Sequence, residues 1–219
     1  MIENAEVMRD IEKRYQKTSG LLSRDFYSIF YGPLMQSKIL MINANPGGSP
    51  TNYRVVDVFQ GEHEYIEGRS SGPTTRNGAE ILLEIVGSEK NLRGVQVLNR
   101  FFRRSPVRPS KVLENAYMAE SKPFLMELIK FIQPEALIFG GDGGVRLFAD
   151  AHGAKLRTGE AIMGPNGASD AVYFREYGLT LPYFRHVPAF GIYHPSKLNG
   201  IFRERVIPLL KERFCPMYS

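Results

Sequence analysis

The amino-acid sequence predicts an α/β fold, specifically a three-layer αβα sandwich around a central, mainly parallel sheet of four strands. Four short runs of apolar residues each have the length of a strand, and continuous apolar runs are typical of strands that are buried on both faces. Segments with helical periodicity separate these runs, and alternation of strands and helices favours a parallel sheet with helices on both faces. The four predicted strands cover residues 38–43, 94–99, 134–141 and 186–193.

The predicted helices follow from the spacing of their apolar residues. Residues 3–17 have the pattern of a surface helix, and the segment GAEILLEIVG (78–87) has that of an amphipathic helix that ends at Gly87. The remaining predicted helices are 117–132, the segment VRLFADAHG (145–153) that follows the turn GGDGG (140–144), and 199–214.

Two stretches show no clear period. Residues 44–77 are rich in Gly, Pro, Ser and Asn, and a loop of this length in a compact domain is usually functional or mobile. Residues 153–180 are the least readable part of the sequence, with a polar segment at TGEAIMGPNGASD, and no strand or helix is assigned there.

Length and composition indicate one globular domain. With 219 residues and 43% hydrophobic residues, the chain can bury a core, so we assign residues 1–219 to one domain with the helix 3–17 as an accessory element. The single cysteine, Cys215, excludes an internal disulfide framework, a Cys-rich zinc site and a four-cysteine iron–sulfur cluster. The net charge of +5 favours acidic partners such as nucleic acid, although a solvated basic surface explains the charge equally well.

The sequence also predicts the cellular location of the protein. Its first fifteen residues are charged and helical in pattern, unlike a secretory signal. No apolar run has the length needed to span a bilayer. We therefore expect a soluble, intracellular (cytoplasmic) monomer without a membrane partner.

Polar segments follow three of the four predicted strands. NANPGG (43–48) follows the first, NRFFRR (99–104) the second and YHPS (193–196) the fourth. Because ligands of open α/β sheets bind beyond the carboxyl ends of the strands, we expect these three segments to form one site.

The same segments carry a family resemblance. INANPGG (42–48) resembles the first motif of the uracil-DNA glycosylase superfamily, closest to its mismatch-specific and single-strand-selective branches, and YHPSKLNG (193–200) resembles the second motif. Between them, VLN (97–99) and PEALIFGG (134–141) are similar to the base-reading strand end and an apolar segment of that fold. The motifs follow the order and spacing of the family and together cover residues 38–200. Each motif is short, but the combination is moderately specific.

The resemblance implies a monofunctional DNA glycosylase. Such an enzyme flips a base out of DNA and hydrolyses the N-glycosidic bond of uracil or of a related damaged or mispaired base. The expected partner is DNA that contains uracil or a mismatch, and no cofactor, metal or iron–sulfur cluster is expected.

Two residues match the catalytic positions of the family. Asn45 would orient the attacking water, and His194 would donate a hydrogen bond to the uracil O2 as negative charge develops there. The structural alternatives are a turn residue before Pro46 for Asn45 and a core histidine for His194.

Three residues match positions that contact the base. Asn99 would bond its Watson–Crick edge, and Phe59, fourteen positions after Asn45, would stack on it. Gly47 stands where the strict uracil branch has a tyrosine against the thymine methyl group, so the pocket would admit a wider range of bases. A strand cap and a core aromatic ring are the alternatives for Asn99 and Phe59.

Further residues would hold DNA. Ser196 would contact a phosphate, and Leu198 would fill the gap that a flipped nucleotide leaves in the base stack. Basic side chains would neutralise phosphates, with ordinary solvated charges as the alternative: Lys197, Arg203, Arg100, Arg103, Arg104 and Arg108.

The chain departs from the family pattern at Asn43, where the family has glycine, and at Ala44, which replaces a larger aliphatic residue. A nucleic-acid-binding protein that keeps the fold without the chemistry is therefore the principal alternative. A nucleotide enzyme that binds phosphate through GGDGG is less favoured, because the dinucleotide-binding glycine spacing is absent. A metal hydrolase is disfavoured because the four histidines lack ligand spacing.

Overall fold

The computed structural model has a single mixed sheet between two layers of helices. It describes residues 4–20, 28–44, 56–68, 72–103, 109–163, 172–181, 186–195, 200 and 202–218. The strands are β1 (Ile39–Asn43), β2 (Gln96–Asn99), β3 (Ala136–Gly140), β4 (Lys155–Met163), β5 (Val172–Thr180) and β6 (His186–Ile192).

The α-helices are α1 (Ala5–Ser19), α2 (Glu64–Glu67), α3 (Pro73–Val86), α4 (Glu89–Leu92), α5 (Lys111–Ile132), α6 (Asp142–His152) and α7 (Ile207–Phe214). Short 3₁₀-helices cover Val58–Gln60 and Cys215–Met217, and a π-helical turn, Phe202–Val206, precedes α7. The described part of the chain contains no helix long and apolar enough to cross a membrane.

The strand order in the sheet is β2-β1-β3-β6-β5-β4. The first four of these strands are mutually parallel, and they are the four that the sequence predicts. β5 and β4 continue the sheet as antiparallel strands. The predicted mainly parallel α/β architecture is thus confirmed, but the predicted number of four strands is wrong, because the described residues form six.

The two additional strands lie in the stretch 153–180, where the sequence shows no clear pattern. β4 contains charged residues and Gly159, and its pairing with β5 shifts register between Thr158 and Ala161. β5 has partly exposed side chains at about half of its positions. Half-solvated antiparallel strands lack the continuous apolar run that identifies a buried parallel strand, and a register shift also interrupts the alternation of apolar and polar residues.

Each face of the sheet has its own hydrophobic core, which confirms the three layers. In β1, Leu40 and Ile42 face the first core, whereas Ile39 and Met41 face the second, as the two-residue period of a strand requires. The first core is completed by α1, α5 and α6, and the second by α2, α3, α4 and α7. Both faces of the described sheet are thus covered by helices, which leaves the ends of the parallel strands as the place for a ligand.

The helix boundaries differ from the predicted ones mainly at the amino ends. α3 begins at Pro73 and α5 at Lys111, five and six residues before the predicted starts. Pro73 has the fixed φ that suits the first turn of a helix, and the hydroxyl of Ser110 accepts a hydrogen bond from Leu113 N (3.4 Å). Capping chemistry rather than apolar periodicity therefore sets these two starts.

Candidate functional site at the carboxyl ends of the parallel strands

The structure aligns the carboxyl ends of the four parallel strands at one edge of the sheet. Asn43, the last residue of β1, is in register with Asn99, the last residue of β2, and Gly140 of β3 is in register with Ile192 of β6. His194 follows β6 by two residues and is partly exposed. Asn99 and the segment that carries His194 therefore reach the same edge, as the sequence predicts.

Two asparagine–tyrosine pairs form the centre of this edge. The side-chain nitrogen of Asn43 donates a hydrogen bond to the hydroxyl oxygen of Tyr65 (2.9 Å), and that of Asn99 donates to the hydroxyl oxygen of Tyr31 (2.8 Å). The two tyrosine rings pack edge to face with their centroids 6.2 Å apart. The amide groups are thus held with their nitrogens toward the tyrosines.

The oxygen atoms of the same two amides have no donor within the described part of the chain. Asn43 is 6% exposed and Asn99 is 1% exposed, so bulk water does not reach these oxygens. A buried polar atom without a hydrogen bond costs about 1–3 kcal/mol of stability. A ligand or an ordered water with a hydrogen-bond donor would satisfy these two atoms.

Glycines make room for this polar cluster. A Cβ atom on Gly140 would lie 2.5 Å from the Asn43 amide oxygen, so that oxygen occupies the space of a missing side chain. A Cβ atom on Gly78 of α3 would lie 2.7 Å from the ring of Tyr65. Both distances are shorter than van der Waals contact, so alanine at either position would displace the polar group.

The buried side chain of His63 forms a hydrogen bond with the backbone of Tyr65. Its Nε2–H donates to the carbonyl oxygen of Val95 (3.0 Å), while its Nδ1 accepts a hydrogen bond from Tyr65 N (3.2 Å). Burial lowers the pKa of His63 from its ordinary value, and burial raises the pKa of the Tyr65 phenol. Both shifts favour the uncharged form of these groups at neutral pH.

A hydrogen bond from α3 anchors the segment that carries His194. The side-chain nitrogen of Asn77 donates to the carbonyl oxygen of Pro195 (2.7 Å). On the other side, Tyr193 N donates to the carbonyl oxygen of Tyr173 in β5 (2.9 Å). These two bonds flank His194 and fix its backbone relative to the sheet.

Arg100, directly after β2, is buried in an ion pair. Its guanidinium lies 3.1 Å from a carboxylate oxygen of Glu114, and the side chains are only 9% and 7% exposed. Its backbone N–H donates to the carbonyl oxygen of Asn43 (2.8 Å). Removing one partner of a buried pair is strongly destabilising, so the structure gives Arg100 a structural role in addition to the predicted phosphate contact.

The other described arginines of the predicted DNA surface also have carboxylate partners. Arg103 pairs with Glu120 (2.9 Å) and is partly buried, whereas Arg203 donates to Glu80 (2.9 Å) at the surface. An exposed ion pair contributes about 0–1 kcal/mol, so Arg203 can exchange its partner for a phosphate more readily than Arg103.

Phe59 is the residue that the sequence predicts to stack on the base. It packs against the first core, and the guanidinium carbon of Arg9 lies 4.8 Å from its ring centroid. The aromatic rings that contact the strand-end amides are instead Tyr31 and Tyr65, which the sequence analysis did not single out. The predicted stacking of Phe59 on a base stays a prediction.

Several predicted site residues lie outside the described residues, and their predicted roles stay predictions: Asn45, Gly47, Arg104, Arg108, Ser196, Lys197 and Leu198. Asn43 was recognised only as a departure from the family pattern. The signal that could have identified it is that KILMIN and GVQVLN both end in asparagine, since parallel strands place such ends side by side.

A metal centre has no support within the described ranges, where no group of three or more His, Cys, Asp or Glu side chains could hold an ion. The GGDGG turn ends β3 and begins α6, with Gly141 at φ 113°. This is the conformation of a strand-to-helix turn that favours glycine.

Comparisons with protein-family models and with curated protein sequences find no match for the chain.

Proposed function

We propose that this protein is a DNA glycosylase that hydrolyses the N-glycosidic bond of uracil or of a related damaged or mispaired base. The observation that supports the proposal is the position of Asn99. Its amide is buried at the carboxyl end of a parallel strand, its oxygen accepts no hydrogen bond from the described residues, and the segment carrying His194 reaches the same edge.

In the proposed reaction, DNA presents a flipped base to this edge. The Asn99 oxygen accepts a hydrogen bond from a ring N–H of the base, and His194 donates to the base oxygen on which negative charge develops. Asn45 orients a water toward the anomeric carbon of the sugar. The neutral surroundings strengthen such bonds, because a low local dielectric screens them less than water does.

Basic and polar side chains would hold the DNA. Arg203 at the surface is available to exchange Glu80 for a phosphate, and Lys197, Ser196 and Arg104 are the further contacts that the sequence predicts. Phosphate contacts of this kind make binding decrease as salt increases, because each releases counterions. We propose that the protein binds and acts on DNA as a monomer.

A second candidate function is nucleic-acid binding without catalysis. The observation that favours it is Asn43, whose amide oxygen fills the space over Gly140 at a position where glycosylases of this superfamily have glycine. A side chain here narrows the space available to a base at the end of β1.

The test is incubation with labelled oligonucleotides that carry uracil opposite guanine, opposite adenine or in single strands, followed by alkaline cleavage at abasic sites. We expect base release by the wild type. Asn45→Ala and His194→Ala should each lower it about 10²–10³-fold while leaving affinity for abasic DNA nearly unchanged. His186→Ala is the matched control, because His186 lies at the amino end of the same strand, β6, and should behave as the wild type.

The outcomes separate the two candidates. Binding of DNA without release of any base would favour the non-catalytic candidate. Absence of both binding and release would contradict the proposed function altogether.

A further inference from the structure

His194 lies in the short segment that leaves the sheet after β6, and its two neighbours in the chain contact different elements. On the amino side, Tyr193 N donates to the carbonyl oxygen of Tyr173 in β5 (2.9 Å), and the two rings pack edge to face with their centroids 5.0 Å apart. On the carboxyl side, Pro195 is buried. The direction of the His194 side chain therefore depends on the residues that hold Pro195 as well as on the strand.

Pro195 restricts the backbone of His194. A proline ring disfavours the helical conformation of the preceding residue and favours an extended one. Proline has a fixed φ and no backbone N–H, so its carbonyl oxygen is the main-chain group through which another element can hold it by a hydrogen bond. A contact that holds the ring and the carbonyl group of Pro195 therefore limits the directions open to His194.

Two contacts hold Pro195. The side-chain nitrogen of Asn77 in α3 donates a hydrogen bond to its carbonyl oxygen (2.7 Å). Its ring lies beside Gly140 of β3, where an added Cβ atom would be 3.4 Å from the Pro195 Cδ atom. The contact at Gly140 is van der Waals packing, whereas a hydrogen bond has a preferred angle at the carbonyl group. Asn77 is therefore the contact that orients Pro195.

The helix that carries Asn77 is a rigid support. Ile81, one turn further along α3, is buried in the second core together with Leu82 and Ile85. These apolar side chains fix the distance of α3 from the sheet. Asn77 thus extends from an element whose position does not depend on the segment after β6.

We propose that Asn77 is a positioning residue for His194, which sets the direction of the imidazole through the carbonyl group of Pro195. The inference rests on the proposed function, in which His194 donates to the base oxygen on which negative charge develops. Such a donor must lie at the correct distance and angle, and a displacement of about 1 Å lowers a rate about 10²-fold. Asn77 acts through His194 and not on the base itself.

A double-mutant cycle tests the assignment. Single-turnover release of uracil from the oligonucleotide with uracil opposite guanine is measured for Asn77→Ala, His194→Ala and the double variant. We expect Asn77→Ala to lower the rate about 10–100-fold, with nearly unchanged affinity for abasic DNA. In the His194→Ala background it should lower the rate less than about twofold, because the group that it positions is already absent. An equal loss in both backgrounds would overturn the proposal.

Two further substitutions separate the hydrogen bond from the size of the side chain. Asn77→Asp keeps the size but presents a carboxylate that cannot donate, so it should lose as much activity as Asn77→Ala. Asn77→Gln keeps the N–H donor and should release uracil faster than either. Wild-type activity of Asn77→Asp would overturn the proposal. Circular dichroism checks the folding of each variant, and Asn77→Asp decides the question if Asn77→Ala does not fold.

Asn91→Ala is the matched control. The side-chain nitrogen of Asn91 donates to the carbonyl oxygen of Val86 (2.8 Å), so this variant loses the same kind of bond at the other end of α3. It should release uracil as the wild type does. A loss equal to that of Asn77→Ala would show a general effect on α3 and would overturn the specific role of Asn77.

NMR spectra of the histidine side chains separate this inference from the proposed function. The chain has four histidines, and His194→Ala identifies the signal of His194. Asn77→Ala should change the imidazole signal of His194 and leave that of His186, at the amino end of β6, unchanged. If the wild type releases no base, the proposed function fails, but a changed His194 signal still supports the role of Asn77. An unchanged His194 signal would overturn that role even if uracil is released.

Discussion

At the scale of single residues, this site depends on two glycines, which have no side chain, as much as on its polar residues. The amide oxygen of Asn43 lies where a Cβ atom of Gly140 would be, and the ring of Tyr65 lies against Gly78. A strand-end asparagine can turn its amide toward the neighbouring strand only if that neighbour has no side chain there. Gly140 is therefore as important to the position of Asn43 as its hydrogen bond to Tyr65.

Gly140→Ala tests this dependence. The added methyl group would lie 2.5 Å from the Asn43 oxygen, so the amide must move and its bond to Tyr65 must lengthen or break. We expect a loss of about 1–3 kcal/mol in the free energy of unfolding, measured with urea. Gly143→Ala in α6 is the matched control, because nothing lies within 4 Å of its added Cβ atom, and alanine there favours the helix. Equal effects of the two substitutions would show that Gly140 makes no such room.

At the scale of elements, α3 connects the parts of the site. It faces the second core with Ile81, Leu82 and Ile85, and at its amino-terminal half it contributes Asn77 to the segment after β6 and Gly78 to the packing of Tyr65. The apolar face of the helix thus sets its position on the sheet, and that position sets two polar contacts at the site.

The carboxyl end of α3 gives a test of this element. Gly87 has φ 79°, and its N–H donates to the carbonyl oxygen of Leu83 (2.8 Å), which closes the helix in a left-handed conformation. Gly87→Ala should lower the free energy of unfolding by about 1 kcal/mol, because a Cβ atom is strained there. Gly87→Asn should cost less, since asparagine adopts this conformation more easily. Chemical denaturation of both variants measures the difference, and a larger loss for Asn would contradict the explanation.

At the scale of the whole molecule, two buried histidines couple folding to pH. His63 lies between Val95 and Tyr65, and Nδ1–H of His152 donates to the carbonyl oxygen of Phe148 (2.8 Å). Burial lowers the pKa of both imidazoles below the ordinary value. Below that value the unfolded chain binds protons that the folded protein does not, so their contribution to stability is full above about pH 6.5 and decreases as pH falls toward the lowered pKa values.

We therefore expect the free energy of unfolding to decrease between pH 7.5 and pH 5.0. Each histidine contributes up to about 1.4 kcal/mol per pH unit in this range. Urea unfolding of His63→Gln and His152→Gln should show a smaller decrease than the wild type, because each lacks one of the two titrating groups. His186→Gln, at an exposed position, should decrease as the wild type does. Identical slopes in all four proteins would exclude the two buried imidazoles as the cause.

The parts of the molecule that the sequence determined by itself are those encoded by continuous local patterns. The four parallel strands were predicted to within two residues at each end, because a strand covered on both faces must be apolar throughout. The placement of Asn99 and of the segment carrying His194 at one edge also followed, since parallel strands bring their carboxyl ends together. β4 and β5 did not follow, because half-solvated antiparallel strands have a mixed composition.

Only the tertiary structure decided which side chains meet at that edge. The pairing of Asn43 with Tyr65 and of Asn99 with Tyr31 joins residues 22 and 68 positions apart, and no local pattern encodes such contacts. The same holds for the contact between Phe59 and Arg9, which joins two distant segments beside the first core. Strand periodicity fixes which face a residue points to, but its partners depend on how distant helices and loops pack over that face. The local sequence therefore set the position of the site, and long-range packing set its chemistry.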